Sequence, residues 1–263
     1  MIDIHCHILP GLDDGPAEME ESLAMGRLYA AVGFKTVVAT PHCIPGTRWM
    51  PDIPLIESRV RMLSAALAAE GVALRIHAGM EIALDPLVPR LIRQNRLLPL
   101  AGGPYFLIEC PFQRLPLGWE EIPAAILRMG HKVLLAHPER CAQLAETPSL
   151  VDDIVATGVY VQVNWDSLAG LNGRHVQKVA LAFAGKRHIH CLATDSHDPV
   201  RRSPEILRST AGAAEAVMNR ENLHRLMAEN PRRVVTGEDL APLDIEDMPV
   251  PIQAGRRRWF RFK

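Results

Sequence analysis

His5 and His7 stand two residues apart at the end of the opening stretch MIDIHCHILPGLDDG. On an extended chain that spacing turns both imidazoles to one face. Asp13 and Asp14 follow between Gly11 and Gly15, in a stretch that Pro10 and Pro16 keep out of a helix. Two imidazoles running into a loop with two carboxylates have the donor chemistry of a divalent-metal site. The competing reading is a polar strand end with ordinary turn aspartates. Further along, apolar β-branched runs hand over repeatedly to polar groups: KTVVAT to His42, ALRIHAG to Glu81, YFLI to Glu109, KVLLA to His137, VYVQV to Asn164, and HIHCLAT to Asp195 with His197. The pooled set is His5, His7, His42, His137 and His197 with Asp14, Glu81, Glu109 and Asp195, and no thiolate. Imidazole with carboxylate suits Mn²⁺, Fe²⁺ or Zn²⁺. So many donors exceed the needs of one ion; with a bridging carboxylate they would hold two or three. Clustered ions lower the pKa of a shared water from about 16 towards neutrality and clamp the attacking and leaving oxygens of phosphoryl transfer.

Each of these groups must sit at the C-terminal end of a strand. Between the strand-like runs lie helical patterns near 19–32, 56–70, 86–94, 120–129, 148–156 and 175–184, with two more near 203–217 and 221–228. Glycines follow several of them, including Gly33, Gly71 and Gly130. Strands alternating with helices predict βαβ units and a parallel sheet, covered on both faces because the strands are short and continuously apolar. Seven such units suit a barrel, in which the strand ends converge on one mouth. The expected fold is therefore α/β, a distorted (β/α)7 TIM-like barrel, over residues 1–240.

Composition fixes the class. The chain has 263 residues, 48% of them hydrophobic, which suffices for a large core. A net charge of -1 argues against general nucleic-acid binding. No apolar run is long enough to span a membrane, and the chain starts directly with a strand rather than a signal peptide. The five cysteines are scattered, with no CxxC pair, as in a reduced cytoplasmic protein. None begins Cys-x5-Arg; Cys43 with Arg48 falls one residue short, so no phosphocysteine chemistry is expected.

The motifs HCH, LDDGP, TPH, GMEI, AHPER, QVN, ATDSH and NPRRV occur in that order. Together they resemble the PHP (polymerase and histidinol phosphatase) superfamily, and within it the bacterial protein-tyrosine phosphatases of capsule and exopolysaccharide biosynthesis. The resemblance runs from Met1 to about Leu240. It implies a PHP fold with three metal ions, often manganese, at the barrel mouth. It implies that His5, His7, Glu81 and Asp195 hold one ion, that Glu81 bridges to a second held by Glu109 and His137, and that Asp14, His42 and His197 hold the third. Asp13 stands as the adjacent alternative to Asp14. Arg140 and Arg202 match the phosphate-binding arginines, with Arg201 one residue away from the latter. The implied substrate is the phosphorylated tyrosine-rich tail of a bacterial tyrosine kinase. Another PHP phosphoesterase, such as a histidinol-phosphate phosphatase or a small phosphodiesterase, is the alternative. A catalytically silent binding module is disfavoured because no donor of the set is missing.

Other polar residues have plainer readings. His77, His188 and His190 read as structural, and His131, His175 and His224 as surface residues. Asn164 reads as a hydrogen-bonding support to the site, and Asp198 as either such a support or a helix cap. Trp49 and Met50 read as pocket rim or as loop packing. The tail, 241–263, is Pro-rich and acidic and then basic and aromatic (GRRRWFRFK). It could touch anionic lipid at the inner face of a membrane, bind RNA, dock on a partner, or stay disordered.

Overall fold

A computed structural model describes residues 1–243. The tail from residue 244 on, including GRRRWFRFK and the membrane contact read into it, lies outside the described residues. The strands are β1 (Ile2–Cys6), β2 (Thr36–Ala39), β3 (His42–Cys43), β4 (Arg75–Ala78), β5 (Glu81–Ala83), β6 (Tyr105–Glu109), β7 (Lys132–Ala136), β8 (Tyr160–Asn164) and β9 (Cys191–Ala193). All pairings are parallel, in the orders β1-β2-β4 and β3-β5-β6-β7-β8-β9. β2 and β3 are two halves of one strand, broken at Thr40–Pro41 where proline supplies no N–H. β4 and β5 are likewise halves of one strand, broken at Gly79–Met80. A Cβ on Gly79 would lie 3.0 Å from both Leu100 and Val38 side chains, so glycine lets the chain pass there without pushing those side chains aside.

Counted this way the strands follow chain order, and the last meets the first. The Asp195 N–H donates to the His5 carbonyl (2.9 Å), the His7 N–H donates to the Ser196 carbonyl (2.9 Å), and Cys6 bridges to Ser196. A buried carboxylate locks this seam. Asp3 accepts from the Tyr29 hydroxyl (2.8 Å), the Thr194 hydroxyl (2.6 Å) and the Thr194 N–H (3.2 Å). Tyr29 comes from the helix Met19–Val32, so one carboxylate ties together the first strand, the first helix and the chain just past the last strand.

Alternation sorts the side chains. Phe106, Ile108, Val133, Leu135, Val161 and Val163 face the helices in the larger apolar cluster. Tyr105, Leu107, Leu134 and Ala136 belong to a smaller cluster with Val234 and Leu240. Tyr105 and Leu107 share a face with Glu109, and Tyr160 shares one with Gln162 and Asn164. The inner face is thus apolar at one end and polar at the other. The apolar end is closed by the chain after the last helix, where Tyr105 donates to the Glu238 carbonyl (2.6 Å) and Lys132 to the Gly237 carbonyl (3.1 Å).

Two expected boundaries are corrected. The seventh strand begins at Cys191, not His188. Arg187 sits at φ 61 after the helix Arg174–Gly185, and the His190 ring, not a ladder carbonyl, accepts the Val161 N–H (3.0 Å). The last helix does not stop at Ala228 but runs on as Arg220–His224, a π turn Arg225–Glu229, and Asn230–Thr236. The wide turn lets Pro231, which lacks an N–H, enter a continuing helix. Asn230 then pins it, donating to the His190 and Ala241 carbonyls (2.7 and 2.8 Å). Among the described residues, no helix is long and apolar enough to cross a membrane.

Candidate metal centre

The polar strand ends meet at one mouth, around a cavity of about 320 Å³. β1 delivers His5 and, just past its end, His7; β3 begins with His42, β5 with Glu81, and β6 ends in Glu109. His137 follows β7, and Asp195 with His197 follows β9. His137 and Asp195 both sit at positive φ (35° and 52°), a conformation that side chains other than glycine rarely adopt. Such local strain persists only where the surroundings over-determine it, and it clusters at functional sites.

Glu81 is the centre of the array and is fully buried. Its Oε1 lies 2.8 Å from His137 Nε2 and 3.2 Å from His5 Nε2. Its Oε2 lies 2.9 Å from His42 Nδ1 and 3.3 Å from His7 Nε2. One carboxylate therefore faces four imidazoles. Asp195 Oδ1 stands 3.4 Å from His5 Nε2 and 3.5 Å from His7 Nε2. Asp14 Oδ1 stands 3.3 Å from His197 Nε2 and 3.4 Å from His42 Nε2. Four overlapping groups bring their donor atoms within 4.8 Å of one another: His7, Asp14, His42 and His197; His5, His7 and Glu81; His5, His137 and Asp195; His42, Glu81 and Glu109. All nine expected donors are in them. The grouping differs from the one the resemblance implies: His7 also joins Asp14, His42 and His197. His42 reaches Glu81 and Glu109 as well as Asp14, and His137 groups with His5 and Asp195 while also touching Glu81.

The donor set fits divalent ions. Glu81 Oε2, His42 Nδ1 and His197 Nε2 are buried and make no hydrogen bond. Unpartnered buried polar atoms are costly, and an ion among them would supply the missing partner. Charge points the same way. Burial by itself lowers an imidazole pKa, yet the Asp13 charge and hydrogen bond, and then Glu81, raise His7 to about 10. Against the same burial penalty, the Asp14 and then the Glu81 carboxylates beside its ring raise His42 to about 11. Burial would raise the Glu81 carboxyl, but the His5 charge, and then the His137 and His42 imidazoles against its two oxygens, hold it well below the usual range. Without cations the cluster holds protons in their place, and cation binding releases them.

Supports behind the donors fix their orientation. His5 Nδ1 meets Gln162 Oε1 (2.9 Å), Gln162 Nε2 donates to Asn164 Oδ1 (2.8 Å), and Asn164 Nδ2 donates to Asp195 Oδ2 (2.8 Å). This chain makes His5 Nδ1 the protonated nitrogen and leaves Nε2 free for a ligand. Gln162 stood in the QVN motif without an assigned role; its position two residues before Asn164 on an inward face was the available signal. Asp13 and Asp14 separate cleanly. Asp13 Oδ2 accepts from His7 Nδ1 (2.6 Å) and the His42 N–H (2.9 Å), behind the imidazoles, while Asp14 faces the cluster.

The arginines also separate. Arg140 Nη1 and Arg202 Nη2 both donate to Asp195 Oδ2 (3.1 and 2.8 Å) and line the cavity. Arg201 is exposed and does not line it. Asp198 caps the loop that carries Arg201 and Arg202, accepting from the Val200 and Arg202 N–H groups (2.7 and 3.1 Å). His190 and His188 make structural contacts, to Val161 and Asp152. Trp49 lines the cavity, whereas Met50 lines a neighbouring surface pocket and packs against the core. All five cysteines are free and buried.

The family model for capsular polysaccharide synthesis, CpsB/CapC, matches residues 1–236. The chain belongs to the CpsB/CapC family. It is 33% identical to the tyrosine-protein phosphatase YwqE of Bacillus subtilis over 203 residues, 77% of this chain and 80% of YwqE. It is 25% identical to the putative tyrosine-protein phosphatase CapC of Staphylococcus aureus over 99% of each chain. Among solved structures, work on YwqE from Bacillus subtilis and CpsB from Streptococcus pneumoniae, metal-dependent tyrosine phosphatases, provides a match with TM-score 0.86 and 30% identity, covering 92% of this chain and 97% of the other. A histidinol phosphate phosphatase from Lactococcus lactis shares the fold, with TM-score 0.54 at 15% identity, covering 82% of this chain and 92% of that one.

Proposed function

We propose that this CpsB/CapC protein is a metal-dependent protein-tyrosine phosphatase that hydrolyses phosphotyrosine on a bacterial tyrosine kinase of capsule or exopolysaccharide synthesis. The observation that carries the reading is the complete His and carboxylate array around Glu81, flanked by two arginines at one cavity. His5, His7, Asp14, His42, Glu81, Glu109, His137, Asp195 and His197 would hold three ions, with Mn²⁺ the expected metal and Fe²⁺ or Zn²⁺ the alternatives. When bound, the ions supply Lewis acidity and a water acidified enough to attack at neutral pH.

The side chains do the remaining work. Three divalent ions held against the four carboxylates would leave a positive surplus at the mouth, suited to a phosphate dianion. Arg140 and Arg202 grip its equatorial oxygens with planar guanidinium forks and offset the charge that builds there. Before substrate arrives they rest on Asp195 Oδ2, so both are already aimed at the mouth. Phenolate leaves with a pKa of about 10, so little general-acid assistance is needed. Five free cysteines fit a reducing, cytoplasmic setting, near the membrane where such a kinase resides.

Phosphate release from a tyrosine-phosphorylated peptide with Mn²⁺, compared with histidinol phosphate at equal concentration, tests the reading. Fast, chelator-sensitive release from the peptide alone supports it. Turnover of histidinol phosphate alone moves the function to small-molecule metabolism on the same metal centre. Release from neither, with ions bound, removes the phosphatase reading.

A further inference from the structure

Two aromatic side chains at the mouth have no part in the chemistry described so far. Trp49 lies in the loop after β3 and Phe112 in the loop after β6. The Trp49 ring stacks on the His42 imidazole, centroids 5.3 Å apart and planes 10° apart. The Phe112 ring stacks on the His137 imidazole, centroids 5.7 Å apart and planes 13° apart. Those imidazoles take opposite oxygens of one carboxylate: His42 Nδ1 is 2.9 Å from Glu81 Oε2, and His137 Nε2 is 2.8 Å from Glu81 Oε1. The two rings therefore back onto opposite flanks of the same centre, and both line the cavity above it. Each also has a guanidinium beside it, Arg48 at 5.8 Å from the Trp49 centroid and Arg140 at 4.6 Å from that of Phe112.

Phe112 remains 45% exposed, although it is a large apolar ring beside a highly charged site. An arginine and an imidazole occupy part of its surface; the rest faces water. A phosphoserine and a phosphotyrosine offer the metals and arginines the same dianion. They differ in what is joined to the ester oxygen, an alkyl carbon or a phenyl ring. The phenolate is the better leaving group, which favours the aryl ester in rate; a preference in binding needs side chains that hold the ring, and the aromatic walls can do so because rings gain from offset or edge-to-face contact beyond the area they bury.

We propose that Trp49 and Phe112 are the two walls of a slot for the phenyl ring of an aryl phosphate, and that they set the preference for aryl over alkyl phosphomonoesters. The inference rests on the phosphatase reading above. It gives these residues a part in specificity, separate from the ion-holding and phosphate-gripping groups.

The experiment compares kcat/KM for phenyl phosphate and propyl phosphate in the full-length Mn²⁺-loaded protein. The same proteins are titrated with benzylphosphonate and propylphosphonate as non-hydrolysable ligands. Trp49→Leu and Phe112→Leu keep apolar bulk and remove the ring; Trp49→Phe and Phe112→Tyr keep a ring. Each leucine variant is expected to lower the aryl-to-alkyl ratio about five- to tenfold, in both rate and affinity, while the aromatic variants stay within about twofold of wild type. A ratio unchanged by leucine overturns the slot, as does a wild type with no aryl preference, and either result leaves a metal phosphatase standing. A wild type that hydrolyses neither ester sinks the phosphatase reading. The phosphonate affinities then decide the slot by themselves: a benzyl preference lost in the leucine variants upholds it, and equal affinities overturn it.

Discussion

Replacing Asp13 with asparagine tests how the paired histidines are held. The Asp13 carboxylate accepts three hydrogen bonds. Oδ2 takes the His7 ring at 2.6 Å and the His42 N–H at 2.9 Å, and Oδ1 takes the Gly15 N–H at 3.0 Å. An amide keeps the shape, loses the charge and turns one end into a donor. With its oxygen towards His7 and His42, its NH2 meets the Gly15 N–H; flipped, it meets both other donors. The better orientation loses one bond and weakens two that were charge-assisted. At about 1.5–3 kcal/mol for a hydrogen bond to a charged group, the change removes roughly 2–3 kcal/mol of stability from the metal-free protein. The carboxylate also sets the tautomer and basicity of His7, and losing such a partner typically weakens metal binding 10–100-fold. Calorimetric titration of stripped protein with Mn²⁺, alongside thermal unfolding, measures both quantities. Asp14→Asn is the contrast. It also weakens binding, by removing a proposed ligand, but it moves the metal-free Tm far less, because the Asp14 side chain is 43% exposed. If Asp13→Asn binds Mn²⁺ within twofold of wild type, the reasoning about His7 is wrong.

Gln162→Leu cuts the chain from His5 to Asp195 and should weaken Mn²⁺ binding 10–100-fold with no change in the ligand set, read by the same titration. Arg140→Lys and Arg202→Lys keep the charge and lose the planar fork, so each should lower kcat/KM on a phosphotyrosine peptide at least about tenfold; activity within twofold of wild type would remove that arginine from phosphate binding. Chelation should abolish activity and lower the Tm, and Mn²⁺ should restore both, since ions bound only to the folded state stabilise it. Burial, and then the His188 charge, lowers His190 to about 4. Because the unfolded chain takes up this proton first, near pH 6.5, the His190 contribution is complete above that pH and is lost as pH falls towards 4, by roughly 3 kcal/mol. His190→Asn, whose Oδ1 can accept the Val161 N–H, should flatten that part of the Tm profile; an unchanged slope would show that another group titrates there.

Much of the fold was legible because parallel strands buried on both faces must be continuously apolar, so KTVVAT, YFLI and KVLLA announce themselves. The end of the last helix was not legible. Pro231 ordinarily breaks a helix, and only the π turn Arg225–Glu229, held by Asn230 reaching the His190 carbonyl, lets this one continue. The start of the last strand was misjudged for a similar reason: the His190 ring substitutes for a ladder carbonyl, and side-chain mimicry of backbone leaves no periodicity to read.

For the site, residue type and strand-end position pointed to eight of the nine groups now gathered around Glu81, all but the loop carboxylate Asp14, because a parallel barrel forces the C-terminal ends of its strands to one mouth. The one-dimensional chain could not separate neighbours. Asp13 and Asp14, or Arg201 and Arg202, differ only in which way a loop turns, and that depends on the His42 and Gly15 N–H groups and on Asp198. Nor could it show that Gln162 stands behind His5, or that Asp3 closes the barrel through Tyr29 and Thr194. Those partners lie more than a hundred residues apart, apart from Asp3 and Tyr29, and a contact of that range is fixed by packing rather than by local pattern. The sequence determined which chemistry the chain carries; the tertiary structure decided which of its residues face the centre of the array, which stand behind it, and which aromatic rings line the mouth.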